Sequence, residues 1–165
     1  MLGMEESMIF VVLGTQKFQL NRLLKLLDEY VYAGFIKEEI IAQIGHSTYI
    51  PQHYSYKQFM DKEEFDATIA KADVVIAHSG VGTIMTSINA KKPVIVFPRL
   101  AKYKEHVDDH QLDIAKAFET KSYVLCCYEG DDLLELIKKS KEYKFEEYVS
   151  HREKIVSLIK DFLDE

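Results

Sequence analysis

Apolar positions along this chain switch repeatedly between an unbroken run and a helical spacing. Met8-Ile9-Phe10-Val11-Val12-Leu13 is a short apolar run ending at Gly14-Thr15, the pattern of a strand covered on both faces of a parallel sheet. Leu20, Leu23, Leu24, Leu27 and Val31 then recur at helical spacing, and Gly34 follows as a helix stop. Ile40 to Ile44 reads as a second strand, and the mixed polar and aromatic stretch around Pro51 ends in a short third one. Asp61 and Glu64 have capping-box spacing and open a helix through Ile69. Val74 to Ala77 is the fourth strand, Ile84 to Asn89 a helix, and Val94 to Phe97 the fifth strand, closed by Pro98-Arg99. A helix from about Asp108 to Phe118, a sixth strand from Tyr123 to Cys126 and a helix from Asp131 with Leu133, Leu134 and Ile137 follow. Ile155, Leu158, Ile159 and Phe162 mark a last helix.

Strands alternating with helices predict an α/β fold, a Rossmann-like open parallel sheet with right-handed crossovers and helices on both faces. At 165 residues and 47% apolar, the chain is expected to form one domain, with residues 1–7 as a flexible extension outside the sheet. A net charge of -6 argues against a nucleic-acid surface. The two cysteines, Cys126 and Cys127, are adjacent and poorly placed for a disulfide, which predicts a reducing, cytoplasmic setting. No apolar run approaches the ~20 residues that span a bilayer, so any membrane contact is expected to be peripheral or made through a partner.

The chemistry concentrates at strand ends. In an open parallel sheet ligands bind outside the carboxyl ends, where strand order reverses. Gly14-Thr15-Gln16 follows the first strand and His78-Ser79-Gly80-Val81-Gly82-Thr83 the fourth, which in this order are neighbours across the reversal. Gly80 and Gly82 allow close backbone approach, Ser79 and Thr83 offer hydroxyls, and the next helix presents free N–H groups, a combination suited to phosphate. Two glycines also make a tight strand-to-helix turn with no ligand at all; the second loop tips the balance toward binding. After the fifth strand, Arg99, Lys102 and Lys104 could offset phosphate charge, and Glu105, His106, Asp109, His110 and Gln111 supply donors and acceptors for sugar hydroxyls. A solvated loop, or capping and packing roles for His106 and His110, would use the same residues. The G-x-G-x-x-G fingerprint, a Walker A loop, paired zinc ligands and a G-x-S-x-G elbow are all missing, which disfavours NAD, and no cofactor or metal is called for.

The stretches MIFVVLGTQ, QIGHSTYIP, ADVVIAHSGVGTI, KKPVIVFPR and EHVDDHQ, in this order, resemble the C-terminal, donor-binding domain of family-28 glycosyltransferases. The likeness runs from Met8 over nearly the whole chain and is nearest to small catalytic subunits of split enzymes, the dolichol-linked N-acetylglucosaminyltransferase subunit and bacterial capsule and exopolysaccharide transferases. It implies the C-terminal half of a GT-B fold, with Gly14 and Thr15 beside a diphosphate, Ser79, Gly80, Val81, Gly82 and Thr83 cradling it, and Glu105, His110 and Gln111 near the sugar. Many relatives carry a ribose-binding glutamate where this chain has Thr86, which leaves the nucleotide open.

The expected function is that of a donor-binding catalytic subunit of a two-component inverting glycosyltransferase. It would move a sugar from a UDP-sugar to a polyprenyl-diphosphate-linked acceptor, recruited to the cytoplasmic face of a membrane by a membrane-anchored partner subunit that supplies the acceptor half. Arg99, loop N–H groups and the helix N-terminus would stabilise the leaving diphosphate. The general base stays unassigned among His78, His106 and a partner residue. A noncatalytic nucleotide-sugar-binding subunit and a nucleotide-sugar epimerase are the rival expectations.

Overall fold

The computed structural model describes residues 7–149 and 159–160. Its strands are β1 (Met8–Val12), β2 (Glu39–Gln43), β3 (Ser55–Lys57), β4 (Val74–His78), β5 (Val94–Phe97) and β6 (Leu125–Cys126). The helices are α1 (Asn21–Tyr32), α2 (Lys62–Lys71), α3 (Val81–Asn89), α4 (His110–Thr120) and α5 (Leu133–Ser140), with a short 3-10 turn at Ala101–Tyr103. All strands pair in parallel in the order β3-β2-β1-β4-β5-β6, so direction of winding reverses between β1 and β4.

Side chains of successive strand residues point to opposite faces, and the two faces divide the core. Ile9, Val11, Ile40, Ile76, Ile95 and Phe97 bury against α1 and α5 through Leu23, Leu24, Leu27, Leu133 and Ile137. Met8, Phe10, Val12, Val75 and Val96 bury against α2, α3 and α4 through Ile69, Ile84, Ile88, Ile114 and Phe118. Leu20, Leu23, Leu24 and Leu27 are all fully buried, each contributing about 1.5–3 kcal/mol relative to exposure. Cys126 and Cys127 are free thiols that fall on opposite faces, and burial pushes the thiol of Cys127 up to about 12.

Several boundaries differ from the sequence reading. Helix α3 starts at Val81 rather than Ile84, so half of the glycine loop is its first turn. Strand β4 runs one residue further, through His78. Strand β6 starts at Leu125, because Ser122 takes a left-handed φ of 59° and the Tyr123 N–H turns back to Phe118 O. Gly34 does stop α1: its N–H bonds Val31 O while the Phe35 N–H bonds Tyr30 O, a Schellman closure at φ 81°. Asp61 caps α2 by accepting from the Glu64 N–H at 2.8 Å. Residues 1–6 of the expected extension lie outside the described residues, whereas Ser7 already bonds the sheet through its carbonyl to the Glu39 N–H. Of the expected last helix, Ile155, Leu158 and Phe162 lie outside the described residues and Ile159 is buried.

The two edge strands are short. β3 has three residues, all exposed, and β6 has two.

Candidate functional site

At the carboxyl end of β1 and β4, the two loops face one cleft of about 520 Å³. Gly14, Thr15 and Gln16 form one wall and Ser79 to Thr83 the other; His78, His106, Asp108, His110 and Gln111 complete it. The reversal of strand order creates this opening, since the crossovers from β1 and β4 leave in opposite directions.

The wall made by α3 is electrostatically distinctive. The N–H groups of its first turn point outward before intrahelical bonding begins with Ile84 N to Gly80 O. Its N-cap is Gly80, which has no side chain to close them, and its first turn carries no acidic residue. Each of the other numbered helices has a side-chain acceptor at its start: Gln19 for α1, Asp61 for α2, Asp108 for α4 and Asp132 for α5. The partial positive charge at the α3 terminus therefore faces the cleft unneutralised.

Beneath this wall lies a buried polar network. His78, at the end of β4, is 5% exposed. Arg99 Nη1 donates to its Nδ1 at 2.7 Å, and Nε2 lies 3.1 Å from Thr83 Oγ1. Burial, with the neighbouring Arg99 cation and His106 adding to it, pushes the imidazole down to about 3, so His78 is neutral. Gln111 Oε1 accepts from the backbone N–H groups of both Ser79 and Arg99, at 3.2 and 3.0 Å, and the Ser79 hydroxyl donates to Gln111 O. One side chain of α4 thus ties the loop after β4 to the loop after β5.

The glycines have separate reasons. A Cβ at Gly14, where φ is 26°, would meet His78 Nε2 at 2.5 Å, and one at Gly80 would meet His78 Cε1 at 2.3 Å. Both are glycine because the imidazole is wedged between them. A Cβ at Gly82 would meet nothing within 4 Å. The open face at Gly82 is the cleft itself.

Of the expected donor-binding residues, Gly14, Thr15, Ser79, Gly80, Val81, Gly82, Thr83, His110 and Gln111 line the cleft. Arg99 and Glu105 do not, a correction to the direct contacts expected of them. Arg99 is 1% exposed, donating also to Phe18 O, and its burial lowers the guanidinium to about 10. Glu105 is equally buried, held by both Arg22 Nε and Nη2 at 2.9 Å and by the Leu100 N–H. Lys102 ion-pairs with Glu129, and Lys104 forms the left-handed end of the 3-10 turn, so neither meets the cleft. Asp109 caps the Ala101 N–H. His106 stacks on Phe18 at 4.5 Å and its Nδ1 lies 3.2 Å from Asp108. Thr86 donates to Gly82 O within α3.

Two residues that organise the site were not singled out from sequence. Arg22 sits between the Phe97 and Tyr103 rings, 4.6 and 4.7 Å from their centroids, and neutralises Glu105. Asp28 is buried on α1 and accepts from Tyr49 OH, the Gln52 N–H and the His53 N–H, pinning the loop after β2 to the helix. An aspartate on the apolar face with Leu24 and Leu27 is the signal that could have found it.

A six-stranded parallel sheet in this order, with a two-loop cleft at its reversal, defines a Rossmann-like domain of the kind that forms the C-terminal half of a GT-B glycosyltransferase. Residues 8–164 match the Glycosyltransferase family 28 C-terminal domain, and the chain belongs to this family. It is 30% identical over 93 residues to UDP-N-acetylglucosamine transferase subunit ALG13 of Homo sapiens, covering 53% of this chain and 8% of that protein. It is 34% identical over 142 residues to the UDP-N-acetylglucosamine--N-acetylmuramyl-(pentapeptide) pyrophosphoryl-undecaprenol N-acetylglucosamine transferase of Prochlorococcus marinus, covering 81% of this chain and 36% of that protein. The chain thus spans well under half the length of these two relatives. The solution structure of ALG13 superposes with a TM-score of 0.60 at 20% identity, over 94% of this chain and 96% of that one. The crystal structure of MurG from Acinetobacter baumannii gives 0.58 at 14% identity, over 99% and 46%. At these identities the two structures establish the fold alone.

Proposed function

We propose that this chain is the donor-binding catalytic subunit of a two-component inverting glycosyltransferase that transfers a sugar from a UDP-sugar to a polyprenyl-diphosphate-linked acceptor. The observation that carries the reading is the uncapped first turn of α3 facing the Gly14–Gln16 loop across one cleft. Free N–H groups and a helix dipole suit a diphosphate, and they would stabilise the same group as it leaves. Both relatives carry UDP-N-acetylglucosamine in their names, which makes that sugar the first to test, and one names a pyrophosphoryl-undecaprenol acceptor.

No helix among the described residues is long and apolar enough to cross a membrane. A lipid-linked acceptor then calls for a membrane-anchored partner, in keeping with the word subunit in the name of the human relative. The motifs call for neither cofactor nor metal, and the place of action is the cytoplasmic face of the membrane.

His78 is a poor general base: it is neutral, but Arg99 already occupies the lone pair at Nδ1. His106 lines the cleft and remains in reach, with a partner residue as the other source. The same observation favours, as second reading, a binding subunit whose partner supplies the base.

Calorimetry with UDP and UDP-N-acetylglucosamine tests the core claim. Binding by the chain alone is expected; no heat at millimolar ligand with the protein folded would overturn it. Transfer to a lipid-linked acceptor only on co-expression with a membrane-anchored subunit would support the two-component form, and full turnover by the chain alone would refute it. Turnover on co-expression that survives loss of UDP-sugar binding by this chain would select the noncatalytic reading.

A further inference from the structure

No Lys or Arg among the described residues lines the cleft, although a diphosphate carries charge that a basic side chain would ordinarily meet. The nearest permanent cation in the buried network is Arg99, one shell below the surface. The hydrogen-bond identities between Arg99 and the cleft are fixed one after another. Ser79 N–H and Arg99 N–H can only donate, so the Gln111 atom that meets both must be its carbonyl oxygen. The Gln111 amide nitrogen accordingly faces His78 Nδ1, at 3.5 Å. Arg99 Nη1, which also can only donate, approaches the same Nδ1 at 2.7 Å. With two donors aimed at it, Nδ1 is an acceptor and the single proton of the neutral ring sits on Nε2. That proton is directed at Thr83 Oγ1, 3.1 Å away. Thr83 Oγ1 therefore accepts, and its own hydroxyl proton has no acceptor among the described residues.

We propose that Arg99 acts on a bound phosphate through this ordered chain, guanidinium to imidazole to hydroxyl, which makes Thr83 a dedicated hydrogen-bond donor to a phosphoryl oxygen. The proposal rests on the reading of the cleft as a diphosphate site. Arg99 and His78 are positioning residues, and Thr83 is the residue that touches the ligand. Each bond polarises the next, so a charge that stays buried strengthens a neutral hydroxyl at the surface. The arrangement also selects: an acceptor such as a phosphoryl oxygen is favoured opposite Thr83, and a donating amine or hydroxyl is not.

Histidine-selective 15N labelling of the full chain without ligand tests the ordering. A protonated, pyrrole-type nitrogen at Nε2 and a pyridine-type nitrogen at Nδ1 of His78 are expected at neutral pH; the opposite tautomer, or a doubly protonated ring, would overturn the chain. Binding tests its purpose, with UDP and uridine as paired probes. Thr83→Val should weaken UDP about tenfold or more while leaving uridine within about twofold, and Thr83→Ser should restore UDP. Arg99→Met, if folded, should weaken UDP in the same selective way although Arg99 touches no ligand, and should broaden or reverse the His78 signature. Equal UDP affinity in wild type and Thr83→Val refutes the donor role. Failure of the wild type to bind UDP, with the Nε2–H signature intact, overturns the diphosphate reading and the purpose assigned to Thr83; a wrong tautomer overturns the relay alone.

Discussion

Helices α2 and α3 begin with the same backbone problem and resolve it in opposite ways. In α2 the Asp61 carboxylate closes the first turn, and Glu63 and Glu64 add negative charge there. In α3 the corresponding place is Gly80, followed by Val81, Gly82 and Thr83 with no acid among them. The first helix satisfies its own terminus. The second leaves the terminus to something else, and it does so where two strand-end loops converge. Glycine at a cap costs only roughly a few tenths of a kcal/mol relative to aspartate, so the omission is a small local loss of stability held in place by the fold around it.

That contrast can be attacked directly. The largest effect is expected from giving α3 the charge that α2 has. Gly82→Asp places a carboxylate in open space at the first turn; the protein should fold with stability equal to or slightly above wild type, while UDP affinity drops by about 100-fold or more. Calorimetry beside urea denaturation separates the two, and retained affinity would mean the terminus is not where the anion sits.

The next largest effect separates the glycines. Gly80→Ala pushes a methyl into His78 Cε1 and should destabilise by about 1–3 kcal/mol, whereas Gly82→Ala, in open helix, should stabilise by up to ~1 kcal/mol. Equal denaturation midpoints would remove His78 as the reason for Gly80.

Acid should reach the cleft side through the same imidazole. His78 has a folded value of about 3 against an ordinary 6.5, so between these values the unfolded chain binds one proton more than the folded one. Stability is fully present above pH 6.5 and is lost as pH falls, by ~1.4 kcal/mol per unit for this group. Denaturation midpoints measured from pH 7.5 to 5 should show that slope below 6.5; a flat profile would place the His78 proton elsewhere. The smallest effect belongs to α2: Asp61→Ala should cost ~1 kcal/mol of stability and leave UDP binding unchanged.

Much of this architecture is legible in the chain because its central strands, β1, β4 and β5, are fully buried. Met8–Val12, the Val74 to Ala77 part of the fourth strand and Val94–Phe97 are apolar on both faces, the pattern of a parallel sheet covered on both sides. The glycine loop was legible as the wall of a cleft, but the start of α3 was not, since Val81, Gly82 and Thr83 are poor helix formers taken into the helix by tertiary packing. Charge was the hardest to read. Arg99 and Glu105 look like ligand contacts at a strand end, and only the fold brings Arg22, 83 positions away in sequence, against Glu105. Long-range pairing of buried charges leaves no periodic trace.

The sheet margins carry a consequence of their own. An unpaired strand edge is a template on which another chain can add, and its reach scales with its length. Here one margin is Ser55–Lys57, its lysine paired with Glu64 at 2.5 Å, and the other is Leu125–Cys126. Neither offers a run long enough for a neighbouring molecule to continue the ladder. A domain whose central strands are mostly β-branched and aromatic thereby ends in margins that discourage filament growth and stacking into aggregates at high concentration.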